Sequence, residues 1–66
     1  MFDFSVIPRD GFIIVFNTKE NYFYGGHWQD GKLTLTDDDG IKFEPKTLEN
    51  LRWKYDKCNR SGIQGR

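Results

Sequence analysis

The chain has 66 residues, room for one domain and no second functional module, since a single core below about 70 to 80 residues supplies only a few kcal/mol of net stability. Ten basic and ten acidic side chains cancel, which excludes an overall field drawing the protein to nucleic acid or to a membrane surface. One cysteine, Cys58, and one histidine, His27, exclude an internal disulfide and the four-ligand zinc patterns.

The first expected element is Phe2-Asp3-Phe4-Ser5-Val6, whose alternation puts Phe2, Phe4 and Val6 on one face of a strand. Pro8-Arg9-Asp10-Gly11 is a tight connection with turn chemistry, and a second strand, Phe12 to Phe16, is expected to pair across it. That strand is apolar on both faces, which predicts a central position covered on each side or a curve into a small barrel. Asn17 to Asn21 reads as the next turn. The aromatic-rich segment from Tyr22 to Gln29 follows as a strand, interrupted at Gly25-Gly26 by a barrel corner, a bulge, or a ligand's need for space.

Asp30-Gly31 between two β-forming runs predicts a two-residue hairpin with positive φ at both residues. Leu33 to Thr36 continues the alternation, Asp37-Asp38-Asp39-Gly40 turns the chain, and Leu33, Leu35, Ile41 and Phe43 are expected on one face. Pro45 ends that run. Beyond it, Thr47 caps either a short helix or a single helical turn leading to a strand over Leu51-Arg52-Trp53-Lys54-Tyr55-Asp56. The strand is preferred because it keeps Leu51, Trp53 and Tyr55 together. A domain over 2–56 and a loose basic tail over 57–66 are expected.

Five to six short strands, tight turns and one helical turn before the last strand resemble the general pattern of SH3-like small barrels. The expected class is all-β, a small antiparallel meander or an SH3-like barrel. The resemblance is one of spacing and implies no activity.

Charge is unevenly spread. Residues 1–17 carry one positive and two negative groups, 18–45 three and six, and 46–66 six and two. No group of residues has the spacing for catalysis: His27 and Cys58 share no local nucleophile signature, and Asp37-Asp38-Asp39 with Glu44 lacks the spread of ligands over a calcium loop. The chain is therefore read as no enzyme, with no metal and no cofactor. The absence of a leader, and a longest apolar run of Phe12 to Phe16 against the roughly 20 residues of a membrane helix, predict a cytoplasmic, soluble protein.

Aromatic residues make up 17% of the chain. Tyr and Trp suit half-exposed interface positions, so Tyr22, Tyr24, Trp28 and Trp53 are expected as anchors of a protein-binding surface. Asp37, Asp38 and Asp39 add acidic complementarity, and the phenylalanines form the core with Ile13 or Ile14, Leu33, Leu35 and Ile41. The primary expectation is a non-enzymatic protein-binding module, in the manner of small phage or plasmid inhibitors and regulators. The alternative is a nucleic-acid-binding barrel that stacks bases on aromatics and follows the backbone with Arg52, Lys54, Lys57 and Arg60. Self-association through an edge strand at Phe2 to Val6 is a third expectation.

Overall fold

A computed structural model describes residues 1–56. The tail over 57–66, with Lys57, Cys58 and Arg60, lies outside the described residues. Five antiparallel strands form one sheet: β1 (Gly11–Asn17), β2 (Tyr22–Gln29), β3 (Lys32–Thr36), β4 (Lys42–Phe43) and β5 (Leu51–Tyr55), in the order β4-β3-β2-β1-β5. The first four run as a meander, and β5 returns to the free side of β1.

The turns follow their sequence chemistry. Asp30 and Gly31 have φ of 54° and 79° and join Gln29 to its partner Lys32, the two-residue hairpin expected of Asp-Gly. Between β1 and β2, the Asn17 carboxamide oxygen accepts from the backbone N–H groups of Lys19 and Glu20. Between β3 and β4, the Asp37 carboxylate accepts from the N–H groups of Asp39 and Ile41, and Gly40 sits at φ 81°. Each turn residue thus holds its own backbone, the reason Asn, Asp and Gly occupy these places.

Alternation in β1, β2, β3 and β5 gives the sheet an inner and an outer face. The inner face carries the buried core: Ile13, Val15, Trp28, Leu33, Leu35, Leu51 and Trp53, with Phe4, Tyr24, Leu48 and Tyr55 packed against it. Gly26 lies in the same face opposite Ile13. A Cβ there would stand 2.7 Å from Val15 Cγ2 and 3.1 Å from Ile13 Cγ1, so this glycine is required by packing.

Several expectations are corrected. The segment Phe2 to Val6 is no strand and pairs with nothing across Pro8 to Gly11. Only Phe2 bridges, exchanging two backbone hydrogen bonds with Trp53 at 2.8 and 2.7 Å, and residues 4–6 turn. The cause is the Trp53 indole, whose N–H donates to the carbonyls of Asp3 and Val6 while Phe4 stacks on Trp28 at 5.6 Å between ring centroids. A straight strand cannot aim both carbonyls at one N–H, so the segment folds into a strap across the inner face. The edge expected to support a dimer is therefore not a strand.

Gly25-Gly26 does not interrupt β2, whose pairing with β1 runs unbroken through both glycines. Ile41 lies outside β4 and is exposed, because the Asp37 turn takes up its N–H. After Pro45 no helix forms among the described residues; a single turn closed by Leu51 N–H to Leu48 C=O leads into β5, the strand preferred from the alternation, with Leu51 and Trp53 buried and Tyr55 half-buried on the inner side.

Candidate functional site

Among the described residues the outer face of the sheet is open. β1 was expected to be covered on both sides or to curve into a small barrel, and the described residues supply one layer of sheet and a strap for the inner face only. Phe12 is 65% and Phe23 56% exposed. The expectation that phenylalanines form the core and tryptophans the surface is reversed, since Trp28 and Trp53 are buried. A tryptophan buries more apolar area than any other side chain, and so short a chain uses both inside.

The register sets the outer residues in three rows across the strands. One row holds Phe12 on β1, His27 on β2 and Thr34 on β3. The middle row runs from Lys54 on β5 through Ile14, Gly25 and Thr36 to Lys42 on β4. The third holds Arg52, Phe16 and Phe23. Within the outer rows the rings touch: Phe12 and His27 at 4.7 Å, and Phe16 and Phe23 at 4.6 Å, between centroids.

Beside the Phe12–His27 pair lies a groove with Gly25 on its floor, and the Phe16–Phe23 pair stands one row beyond Gly25. The groove has a volume of about 560 Å³, and its walls include Phe12, His27, Thr34, Thr36, Lys42 and Asp56. Gly25 differs from its neighbour: a Cβ there would meet nothing closer than Thr36 at 4.0 Å, and its φ is ordinary for a strand. Neither packing nor backbone geometry calls for glycine at this position.

The residues expected as partner contacts divide. Tyr22, Tyr24, Asp37 and Asp38 come together on the inner side near the turns, with Glu20 and Phe43. The Tyr24 hydroxyl donates to Glu20 Oε1 at 3.0 Å. Burial, then the bonded Glu20 carboxylate, raises the Tyr24 pKa, and a bonded Asp38 carboxylate raises that of Tyr22. Asp37 is occupied in holding its own turn. This cluster therefore satisfies much of its polar chemistry internally, and Asp39 lies exposed at the tip of the turn.

Of the expected basic contacts, Arg52 and Lys54 both stand on the outer face, alternating with buried Leu51 and Trp53; Lys57 and Arg60 lie outside the described residues. The residues missed by sequence reading are Phe12, Phe16, Phe23 and Ile14 as a surface, whereas a ligand's need for space at Gly25-Gly26 was among its alternatives. The signal available was the parity of Phe23 against Tyr22 and Tyr24, which already separated it from the tyrosine face.

Among the described residues no group of three or more His, Cys, Asp or Glu side chains could hold a metal ion, and no helix is long and apolar enough to cross a membrane. Comparison of the chain with protein-family models, with curated proteins and with solved structures finds no match.

Proposed function

We propose that this protein is a non-enzymatic binding module that receives a macromolecular partner on the outer face of its sheet. The observation that carries the reading is the pair of ring contacts, Phe12 with His27 and Phe16 with Phe23, standing on either side of the Ile14–Gly25 row, the first of them lining a glycine-floored groove. Exposed apolar surface organised as a contiguous patch marks interaction sites, whereas isolated exposed apolar residues need no explanation. Here five apolar or aromatic side chains, Phe12, Ile14, Phe16, Phe23 and His27, are neighbours in the register.

The contact surface lies opposite the one that Tyr22, Tyr24, Trp28 and Trp53 would have formed, because the two tryptophans serve the core. The meander closed by a returning fifth strand supports reading the fold as an SH3-like small barrel, and the single cysteine supports a cytoplasmic location.

A photo-cross-linking residue placed at position 23, and in a separate chain at Ser5 on the strap, tests the reading in the cells that naturally make the protein. Adducts from position 23 and none from position 5 are expected. Equal adduct formation from both positions, or none from 23, contradicts it.

A further inference from the structure

We infer that the groove over Gly25 is a binding site for single-stranded nucleic acid, with bases stacking on the ring pairs and phosphates meeting Lys42, Arg52 and Lys54. The inference rests on the outer face being the contact surface, and it adds the occupant.

The first support is Gly25. Glycine inside a strand costs about 0.5 to 1 kcal/mol relative to alanine, and here no neighbouring atom and no special φ requires it. A valine would strengthen the strand and enlarge the apolar patch, which is what a partner binding by apolar contact alone would favour. A bare backbone floor instead admits a flat group close to the sheet. Residues two apart on a strand are separated by about 7 Å, so the three rows form successive steps: a ring pair, the glycine floor, a ring pair. Exposed aromatic rings of this kind accept any base, since every base has a flat π-face.

The second support is charge. Lys42 and Lys54 stand at the two ends of the Gly25 row, and Arg52 ends the Phe16–Phe23 row. Arg52 donates its guanidinium to the carbonyls of Glu49 and Leu51, which holds it at the β5 end of the Phe16 row, where nearby Asp3 offsets part of its charge. The acidic residues that make the middle of the sequence unfavourable for phosphate are mostly elsewhere. Glu20, Asp37 and Asp38 gather around Tyr22 and Tyr24 on the inner side. Charges more than about 8 Å apart are largely screened at physiological salt, so the local cations rather than the zero net charge set the field that a phosphate meets.

Three carboxylates, Asp30, Glu44 and Asp56, do face this side. Asp56 lines the groove with Phe12, and Asp30 and Glu44 share a hollow with His27, Thr34 and Lys32. All three belong to the Phe12–His27 end, whereas Lys42, Lys54 and Arg52 belong to the other two rows. The phosphate chain therefore keeps to the ends of the rows that carry Lys42, Lys54 and Arg52, leaving the ring pairs and the glycine floor to the bases, and at the Phe12–His27 end the carboxylates accept from exocyclic amino groups. A duplex fits poorly because its bases are already stacked and paired.

Anisotropy titration of the full 66-residue chain with a labelled oligodeoxycytidylate of about ten nucleotides tests the site. Three phosphate contacts predict a loss of affinity of roughly 20-fold between about 50 and 200 mM salt. Gly25→Val and Phe23→Thr are each expected to weaken binding about 10-fold or more, with the thermal midpoint of Gly25→Val no lower than that of the parent. The surface pair Lys42→Gln with Lys54→Gln, which leaves the core untouched, is expected to flatten the salt slope by about 1.4. Absence of salt-dependent binding overturns the inference, as does equal binding of a duplex, equal displacement by polyglutamate, or indifference to both Gly25→Val and Phe23→Thr. If oligonucleotide binding is absent while position 23 still cross-links to a protein, the occupant is wrong and the contact surface stands. If position 23 gives no adduct either, both fall.

Discussion

Neighbouring glycines of β2 should respond to the same substitution with opposite signs. In Gly26→Ala the new methyl carbon would meet Val15 Cγ2 at 2.7 Å and Ile13 Cγ1 at 3.1 Å. Val15 is 0% and Ile13 2% exposed, so neither side chain can swing into solvent. Overpacking a closed core costs about 1 to 3 kcal/mol, offset by about 0.5 to 1 kcal/mol from restricting the unfolded chain, a net loss of about 1 to 2 kcal/mol. Against the few kcal/mol a domain of this size holds, and at about 4 to 8 °C per kcal/mol, the midpoint should fall by roughly 5 to 15 °C. In Gly25→Ala the methyl carbon finds only Thr36 at 4.0 Å, and the midpoint should rise by about 2 to 8 °C. Thermal scans by circular dichroism and urea titrations read by the buried tryptophans measure both. A matching fall in the two variants, or no effect at Gly26, refutes the assignment of one glycine to packing and the other to the open face.

Three further outcomes are expected. Phe4→Ala removes the ring stacked on Trp28 and should lower stability by about 2 kcal/mol, less than the 3 to 5 kcal/mol of a fully buried phenylalanine because Phe4 is half-buried; the tryptophan emission should shift to longer wavelength. Gly31→Ala places a side chain at φ 79° and should cost about 1 kcal/mol, read from the urea midpoint, with the register-bearing Asp30 left in place. Tyr22 and Tyr24 hold their protons more tightly in the folded protein than the ordinary phenol value of about 10. A raised folded pKa contributes stability that is complete below pH ~10 and lost as pH rises through the folded value. The urea midpoint should therefore decline above about pH 10, and the Tyr22→Phe, Tyr24→Phe double variant should decline less.

The parts of the fold legible in the sequence are those decided within a few residues. Asp30-Gly31 carries its own backbone geometry, and Leu51-Arg52-Trp53-Lys54-Tyr55 has an alternation no helix could use without stranding Trp53. The parts that misled depend on what lies across the sheet. Phe2-Asp3-Phe4-Ser5-Val6 alternates like a strand, but the partner that decides its path is an indole N–H some 50 residues away. The apolar run Phe12 to Phe16 reads as doubly buried only if a second layer exists, and none of the described chain supplies one. The candidate site was obscured for the same reason: residue type favours Tyr and Trp at surfaces, whereas the area needed to fill a one-layer core drew both tryptophans inward.

The strap and β5 meet through Phe2 and Trp53, residues at opposite ends of the described chain. A ribosome-bound chain that has not yet exposed Trp53 can form the β1–β4 meander but has only the Phe4–Trp28 contact to hold residues 2–6, and the inner face of β1 lacks its β5 neighbours. Closure of the core is thus a late, long-range event, of the kind that slows folding because loop entropy is spent before the contact rewards it. The nascent protein should remain protease-sensitive until Leu51 to Tyr55 has emerged, and then become resistant in a single step.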